Sequence, residues 1–307
     1  MKVLTTLGIA AALTLSGAAV AMHVSPWATA QKIDEIGGNS AELNTASLDG
    51  CPFQSPDGLS LYMASNRPGG KGGLDIWVAT RESPDAPWGA PQNLPEPINS
   101  AADDFCPTPV RGGGVFFVSR KVVEGVTCGL GDIYFSRFNQ NHGWSEPHHL
   151  ACAPAGPNTI LDEQGPSRVE IEGNEYLYFS SSRAPAQGGF VPGEIYVSRR
   201  TDGGFGPAVA VEALNDATAN DIQPSIRKDG RELVFSSDRG GGLGGPDIWV
   251  ATRDSTSDPW STPVNLGSSV NTGAAESRPS LSWHAEQLLF GRAPGPEGSS
   301  DIYVTTR

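Results

Sequence analysis

The sequence predicts an all-β protein, a five-bladed β-propeller of four-stranded antiparallel blades that is closed by its own N-terminal strand. Three observations predict it: many helix-breaking residues, a five-fold repeat of strand motifs, and an outer-strand motif displaced to the N-terminus. Gly and Pro, at 38 and 25 residues, together occupy 63 of the 307 positions. Because both residues interrupt helices, a largely helical fold is excluded.

The most regular repeated motif is an acidic residue followed by isoleucine and an aromatic residue. It begins at Asp75, Asp132, Glu194, Asp247 and Asp301. An alternating apolar run precedes each copy and ends near an arginine; these runs cover residues 61–67, 115–120, 176–183, 233–239 and 288–292. Alternation with period two is typical of half-buried strands, so each repeat predicts a second and a third strand.

An outer-strand motif follows in four repeats, an aromatic residue with an apolar residue six positions later. The copies begin at Trp88, Trp144, Phe205 and Trp260. A fifth copy does not follow Tyr303, but residues 27–33 have the same spacing. We therefore expect this N-terminal segment to pair with residues 301–307 and complete the last blade, which leaves no open sheet edge.

Residues 1–21 predict a secretory signal, and residues 22–307 a single propeller domain. Lys2 precedes an apolar run, and Ala19-Val20-Ala21 has the small residues of a cleavage site. We expect an exported monomer, periplasmic or secreted, with no membrane span after cleavage. A formal net charge of −13 disfavours nucleic acid as a partner.

An acidic residue lies three positions before the proline that begins each predicted inner strand, and an asparagine precedes this acid by five or six positions. The pairs are Asn44/Asp49, Asn99/Asp104, Asn158/Glu163, Asn215/Asp221 and Asn271/Glu276. Five-fold repetition predicts a ring of carboxylates, the acidic ring, around the channel mouth, where a ligand would bind beside the asparagines. The alternative is that each acid and asparagine caps its own loop.

A second repeated pair joins the arginine after the second strand to the acid that opens the third strand. The pairs are Arg67/Asp75, Arg120/Asp132, Arg183/Glu194, Arg239/Asp247 and Arg292/Asp301. Hairpin geometry predicts a structural salt bridge within each blade. The alternative is an arginine fork for a ligand carboxylate.

Four cysteines in an exported chain predict two disulfides, Cys51–Cys106 and Cys128–Cys152. The alternative is a zinc site of four thiolates, although no Cys-x-x-Cys spacing is present. Strand parity places His142 and His284 on the face opposite the acidic ring, which argues against a Ser-His-Asp hydrolase. All five histidines are expected at the solvated surface.

Together the motifs resemble the WD40-like propeller repeat of the PD40 type, known from TolB-like proteins and from propeller modules of OmpA-like envelope proteins. Blade 1 carries the resemblance in Ser55-Pro-Asp-Gly58, Ser65-Asn-Arg67 and Asp75-Ile-Trp77, and blade 4 in Phe235-Ser-Ser-Asp-Arg239 and Asp247-Ile-Trp249. The resemblance implies an interaction module of the bacterial envelope that binds a protein, peptide or glycan.

The leading hypothesis is therefore a non-enzymatic binding module without a cofactor, with its partner at the acidic ring. Two alternatives stay open. An inverting glycoside hydrolase would use Asp49, Asp104 and Glu163, since five-bladed propellers of the arabinanase and xylosidase type use two aspartates and a glutamate from their first three blades. A calcium-stabilised scaffold would use the ring oxygens as ligands.

Overall fold

The computed structural model describes residues 26–183 and 191–307, which form five antiparallel sheets arranged as blades. The predicted signal and His23 lie outside the described residues. Blade 1 contains β2 (Asp49–Gln54), β3 (Ser60–Ser65), β4 (Asp75–Thr80) and β5 (Gln92–Asn93). Blade 2 contains β6 (Asp104–Val110), β7 (Gly114–Ser119), β8 (Asp132–Asn139), β9 (Gly143–Trp144) and β10 (His148–His149).

The remaining three blades repeat this order from the channel outward. Blade 3 contains β11 (Glu163–Ile171), β12 (Asn174–Ser181), β13 (Glu194–Thr201) and β14 (Gly204–Ala210). Blade 4 contains β15 (Asp221–Ile226), β16 (Glu232–Ser237), β17 (Asp247–Thr252) and β18 (Val264–Asn265). Blade 5 contains β19 (Ala275–Leu281), β20 (Gln287–Ala293), β21 (Asp301–Thr306) and β1 (Gln31–Lys32). Short 3-10 helices lie at Ile33–Glu35, Ala41–Leu43 and Glu212–Leu214.

The N-terminal strand completes the last blade. β1 pairs antiparallel with β21, and Gln31 lies opposite Val304. The Arg307 guanidinium lies 4.3 Å from the ring centre of Trp27, which is buried against blades 4 and 5. Adjacent inner strands contact one another around a closed circle. The prediction of an all-β, five-bladed propeller is confirmed.

The packing between blades uses the same two repeat positions in every blade. The isoleucine of each third strand is fully buried, and these residues are Ile76, Ile133, Ile195, Ile248 and Ile302. The second strands contribute equally buried side chains, Met63, Phe117, Phe179, Phe235 and Phe290. Since side chains alternate between the faces of a strand, this regular spacing orients every blade in the same way.

The five repeated asparagines bind the backbone of the third strands. The side-chain oxygen of each accepts the N–H of the buried isoleucine at 2.7–2.8 Å, and its amide donates to the carbonyl of the same residue at 2.9–3.2 Å. Asn44 makes this pair with Ile302, at the other end of the chain. The structure thus gives the asparagines, expected as ligand-binding residues, a structural role.

A β-bulge interrupts each inner strand two residues after its acid, and the bulged residues line the channel. They are Cys51, Cys106, Gly165, Gln223 and Arg278, with φ between 46° and 58°. A cavity of about 20 Å³ remains between them, which is room for about one water molecule. The channel is therefore closed at this level, where the Cys51–Cys106 disulfide joins blades 1 and 2.

We expect Trp27→Ala to lower the free energy of unfolding by about 3–5 kcal/mol, because it removes a buried aromatic side chain from the N-terminal segment that closes the circle. Urea denaturation measures the loss. Trp144→Ala, at the half-buried position of β9, is the control and should cost less. Equal small losses in both variants would contradict closure by the N-terminal strand.

Candidate functional site

The carboxylates of the acidic ring point into the loops before the inner strands and do not converge on an open channel mouth. Each of the five residues is at most 1% exposed. Each carboxylate accepts a backbone N–H at 2.5–3.0 Å, and the donors are Thr45, Ser100, Thr159, Asp216 and Thr272. The acids therefore cap their own loops, which was the alternative interpretation of the repeat.

In four blades an arginine forms an ion pair with this buried carboxylate. Arg67 contacts Asp49 at 2.6 Å, Arg183 contacts Glu163 at 3.1 Å, Arg292 contacts Glu276 at 2.7 Å, and Arg239 contacts Asp221. The same guanidinium groups lie 4.1–5.4 Å from the ring centres of the third-strand aromatics, Trp77, Tyr196, Tyr303 and Trp249. Each arginine thus neutralises an acid and covers a ring.

The predicted salt bridges between these arginines and the third-strand acids are wrong. Asp75, Asp132, Asp247 and Asp301 accept backbone N–H groups from the loops that precede them, and Glu194 accepts the Tyr196 hydroxyl at 3.0 Å. Because these acids already have local donors, the arginines pair instead with the inner-strand carboxylates. Arg120 also pairs with acids other than Asp132.

Blade 2 differs from this pattern by one residue. In blades 1, 3 and 4 the arginine stands two positions after the serine that ends the second strand, whereas Lys121 occupies that position in blade 2. Arg120 instead points outward with 40% of its side chain exposed, and contacts Asp103 at 3.1 Å and Asp162 at 3.4 Å. Among the described ion pairs, Asp104 has no arginine.

A cavity of about 440 Å³ lies beside Asp104, and we call it the blade 2 cavity. Its polar lining comprises Asp104, Ser100, Ser119, Lys121, Tyr134, Glu146, His148 and His149. Tyr134 is the third-strand aromatic of blade 2, so the cavity occupies the space where the other blades place a guanidinium. Two apolar loop residues, Val123 and Val126, form another part of the wall.

Two side chains of the blade 2 cavity have a raised pKa, as Glu163 and Asp221 also have in blades 3 and 4. Burial raises the pKa of Asp104, and the nearby charge of Asp75 adds to the rise, although Ser119 and Ser100 hydrogen bonds oppose it. Burial and the charges of Asp132 and Asp104 raise the pKa of Tyr134 to about 12. The Tyr134 hydroxyl has no hydrogen-bond partner within the described part of the chain. Both groups therefore favour their protonated forms.

His149 belongs to the wall of the same cavity, and its expected position at the solvated surface is wrong. Its Nε2 lies 2.9 Å from Oδ2 of Asp132, and only 10% of the side chain is exposed. The Asn158 amide lies 3.2 Å from the same nitrogen. Its partners are 17 and 9 residues away along the chain, so no local motif could have indicated this contact.

The structure joins Cys51 to Cys106 and Cys128 to Cys152, the pairs favoured by the sequence. Among the described residues, the cluster with metal-ligand spacing is Cys128, His149 and Cys152, and both of its sulfurs belong to the second disulfide. The oxygens of the acidic ring bind protein donors. A role for calcium stays a prediction.

Solved structures with the same fold include several glycoside hydrolases. A thermostable family-43 glycoside hydrolase superposes with a TM-score of 0.57 at 14% identity, over 87% of this chain and 91% of that one. An α-L-arabinofuranosidase from Podospora anserina gives 0.55 at 12% identity, over 92% and 96%. An endo-arabinanase from Bacillus licheniformis gives 0.53 at 12% identity, over 85% and 94%. No model of a known protein family matches the sequence, and neither does any curated protein.

These comparisons correct the expectations drawn from the WD40-like resemblance. The propellers that this chain resembles in structure are sugar hydrolases, so the identification as a PD40-type, TolB-like protein is wrong. The expectation of a non-enzymatic binding module with an envelope protein as partner is wrong for the same reason. Within residues 26–183 and 191–307, no helix has the length and apolar character of a membrane span.

We expect Arg67→Met to lower the free energy of unfolding by about 3–5 kcal/mol, because it leaves Asp49 buried without its cation. Arg120→Met, the control from blade 2, should cost less than about 1 kcal/mol, since its ion pairs are exposed to solvent. Urea denaturation of both variants measures the difference. A larger loss for Arg120→Met would contradict the assignment of the buried pairs.

Proposed function

We propose that this protein is an exported glycoside hydrolase that cleaves arabinose-containing glycans in the blade 2 cavity, with Asp104 as the proton donor. One observation carries the proposal: Asp104 is the acid of the ring that lacks an arginine, and it borders a cavity of about 440 Å³. The endo-arabinanase and the α-L-arabinofuranosidase with the same fold support the choice of substrate. The two disulfides support a location outside the cytoplasm.

Glycoside hydrolysis requires two carboxyl groups in different protonation states. Asp104 supplies the acid, because burial raises its pKa and favours the protonated form. Glu146 supplies the base, since it lines the same cavity and is exposed to water. Asp104 gives its proton to the leaving glycosidic oxygen, while Glu146 takes a proton from the water that attacks the anomeric carbon. Proton exchange with solvent then restores both groups.

Tyr134 and Lys121 orient the substrate in this proposal. The Tyr134 hydroxyl is a buried donor without a protein acceptor among the described residues, so a sugar hydroxyl that accepts its hydrogen bond satisfies it. Lys121 lines the cavity from the exposed side and donates to a second sugar oxygen. A substrate without these oxygens would leave both donors unpaired, which favours hydroxyl-rich ligands.

The other members of the expected catalytic triad have structural partners. Thr45 and Arg67 occupy both oxygens of Asp49. Glu163 accepts hydrogen bonds from Thr159, Ser181 and Arg183. Asp104 also accepts hydrogen bonds from Ser100 and Ser119, but it has no arginine partner among the described ion pairs and it borders the cavity. We therefore assign the proton-donor role to Asp104 and loop-capping roles to Asp49 and Glu163.

We expect Asp104→Asn to reduce kcat/KM on aryl arabinofuranosides and arabinan by roughly 10²–10⁴-fold, because it removes the general acid. Its Tm at neutral pH should not fall, since folding raises the pKa of Asp104 and its ionised form therefore opposes folding above that pKa. Asp221→Asn, the matched control from blade 4, removes an equally buried carboxyl group whose pKa burial also raises, and its folded fraction should stay active. Full activity in Asp104→Asn, or a wild-type protein inactive on these substrates, would contradict the proposal.

We expect Lys121→Arg to restore the arginine of blades 1, 3 and 4, so that the new guanidinium pairs with Asp104 and fills the blade 2 cavity. Thermal denaturation should show a more stable protein, by about 1.5–3 kcal/mol, since hydrogen bonds to charged groups contribute that much. Hydrolysis should be lost at the same time. Arg120→Lys is the control, because it keeps the charge at the outward position and should leave both properties unchanged. If Lys121→Arg is more stable and still hydrolyses the substrate, hydrolysis does not take place in the blade 2 cavity.

A further inference from the structure

A second cavity, of about 320 Å³, lies between blades 2 and 3, and we call it the arginine cleft. Four arginines and one glutamate line it, namely Arg111, Arg137, Arg168, Arg200 and Glu175. Phe116, Phe135 and Phe205 provide apolar surface beside them. The cleft thus has a local positive charge in a protein whose formal net charge is −13.

The arginines of the cleft differ in whether an acid neutralises them. Glu175 contacts both Arg168 and Arg200, and Glu170 contacts Arg168 from outside the cleft. Within the described residues, Arg111 and Arg137 have no carboxylate within ion-pair distance. Both are exposed, and both lie against aromatic rings: Arg111 is 4.5 Å from the ring centre of Trp283, and Arg137 is 5.9 Å from that of Phe135. These contacts position two guanidinium groups without neutralising them.

We propose that the arginine cleft binds a uronate residue of an acidic glycan, with its carboxylate on Arg111 and Arg137. Arginine presents paired N–H donors that match a carboxylate. The volume is at the lower end of the range for ligand sites, which suits one or two sugar rings and not a long polymer. The negative charge of the whole protein also repels an extended polyanion while the local field attracts a single charged unit. The choice of a sugar rests on the proposed function.

The cleft and the blade 2 cavity are separate sites that share the strand β10. His148 and His149 border both cavities, whereas the acids proposed for hydrolysis line the blade 2 cavity and the four arginines line the cleft. A glycan that carries uronate side groups would therefore be held at a point other than the scissile bond. Such a contact increases affinity for acidic substrates without taking part in the chemical step.

Isothermal titration calorimetry with digalacturonate as the probe tests the proposal, with its methyl ester as the uncharged ligand of the same shape. We expect digalacturonate to bind and the ester not to bind. Arg111→Ala with Arg137→Ala should weaken binding at least about ten-fold, because charged hydrogen bonds are lost. The matched control is Arg81→Ala with Arg253→Ala, which removes two other arginines that lie over tryptophan rings in blades 1 and 4.

Asp104→Asn should bind digalacturonate as the wild type does, so that failure of hydrolysis and failure of uronate binding are distinguished. Glu175→Gln should bind at least as tightly, since it frees two arginines from their acid. Equal binding of the methyl ester, no binding at millimolar concentration, or equal losses in the two double variants would overturn the proposal. Equally tight binding of sulfate or citrate would overturn the assignment to a sugar.

Discussion

A carboxylate is buried at the start of every inner strand, and the loop that precedes the strand supplies a hydrogen-bond donor to it. A buried charge without a partner costs several kcal/mol. A backbone N–H caps each carboxylate, and in four blades an arginine adds the positive charge. The arginine also covers the third-strand aromatic ring. One interaction thus connects the inner, second and third strands of a blade, and its loss in blade 2 leaves an acid without a guanidinium and an open space beside it.

Closure of the circle depends on a different set of contacts, made between the two ends of the chain. Asn44 pairs with the backbone of Ile302, as the four other asparagines pair with isoleucines in their own blades. Since β1 lies beside β21, the asparagine that follows β1 belongs to blade 5 in space. The contact between an asparagine side chain and an isoleucine backbone therefore occurs in all five blades. Blade 5, which contains the two ends of the chain, is stabilised in the same way as the other blades.

Much of the fold could be predicted from the sequence, because period-two alternation and repeated motifs report which side chains are buried. The partners of charged side chains could not be predicted in the same way. Hairpin spacing brings Arg67 near Asp75, but that acid already accepts N–H groups from its own loop, and the arginine pairs with Asp49. The shift of Arg120 by one position was visible in the sequence. That this shift leaves Asp104 without a cation could not be predicted, since it depends on where the guanidinium lies in the other blades.

The departures from five-fold symmetry are concentrated around blade 2. Both disulfides involve this blade, and Cys128–Cys152 joins the loop after β7 to the loop before β11. The loop after β7 carries Lys121, Val123 and Val126, which line the blade 2 cavity. In blade 1 the corresponding loop is held by the arginine pair with Asp49, and blade 2 has a covalent link where that pair is missing. The disulfide therefore holds the loop that forms a cavity wall and leaves the cavity open. An arginine paired with Asp104 would fill the cavity.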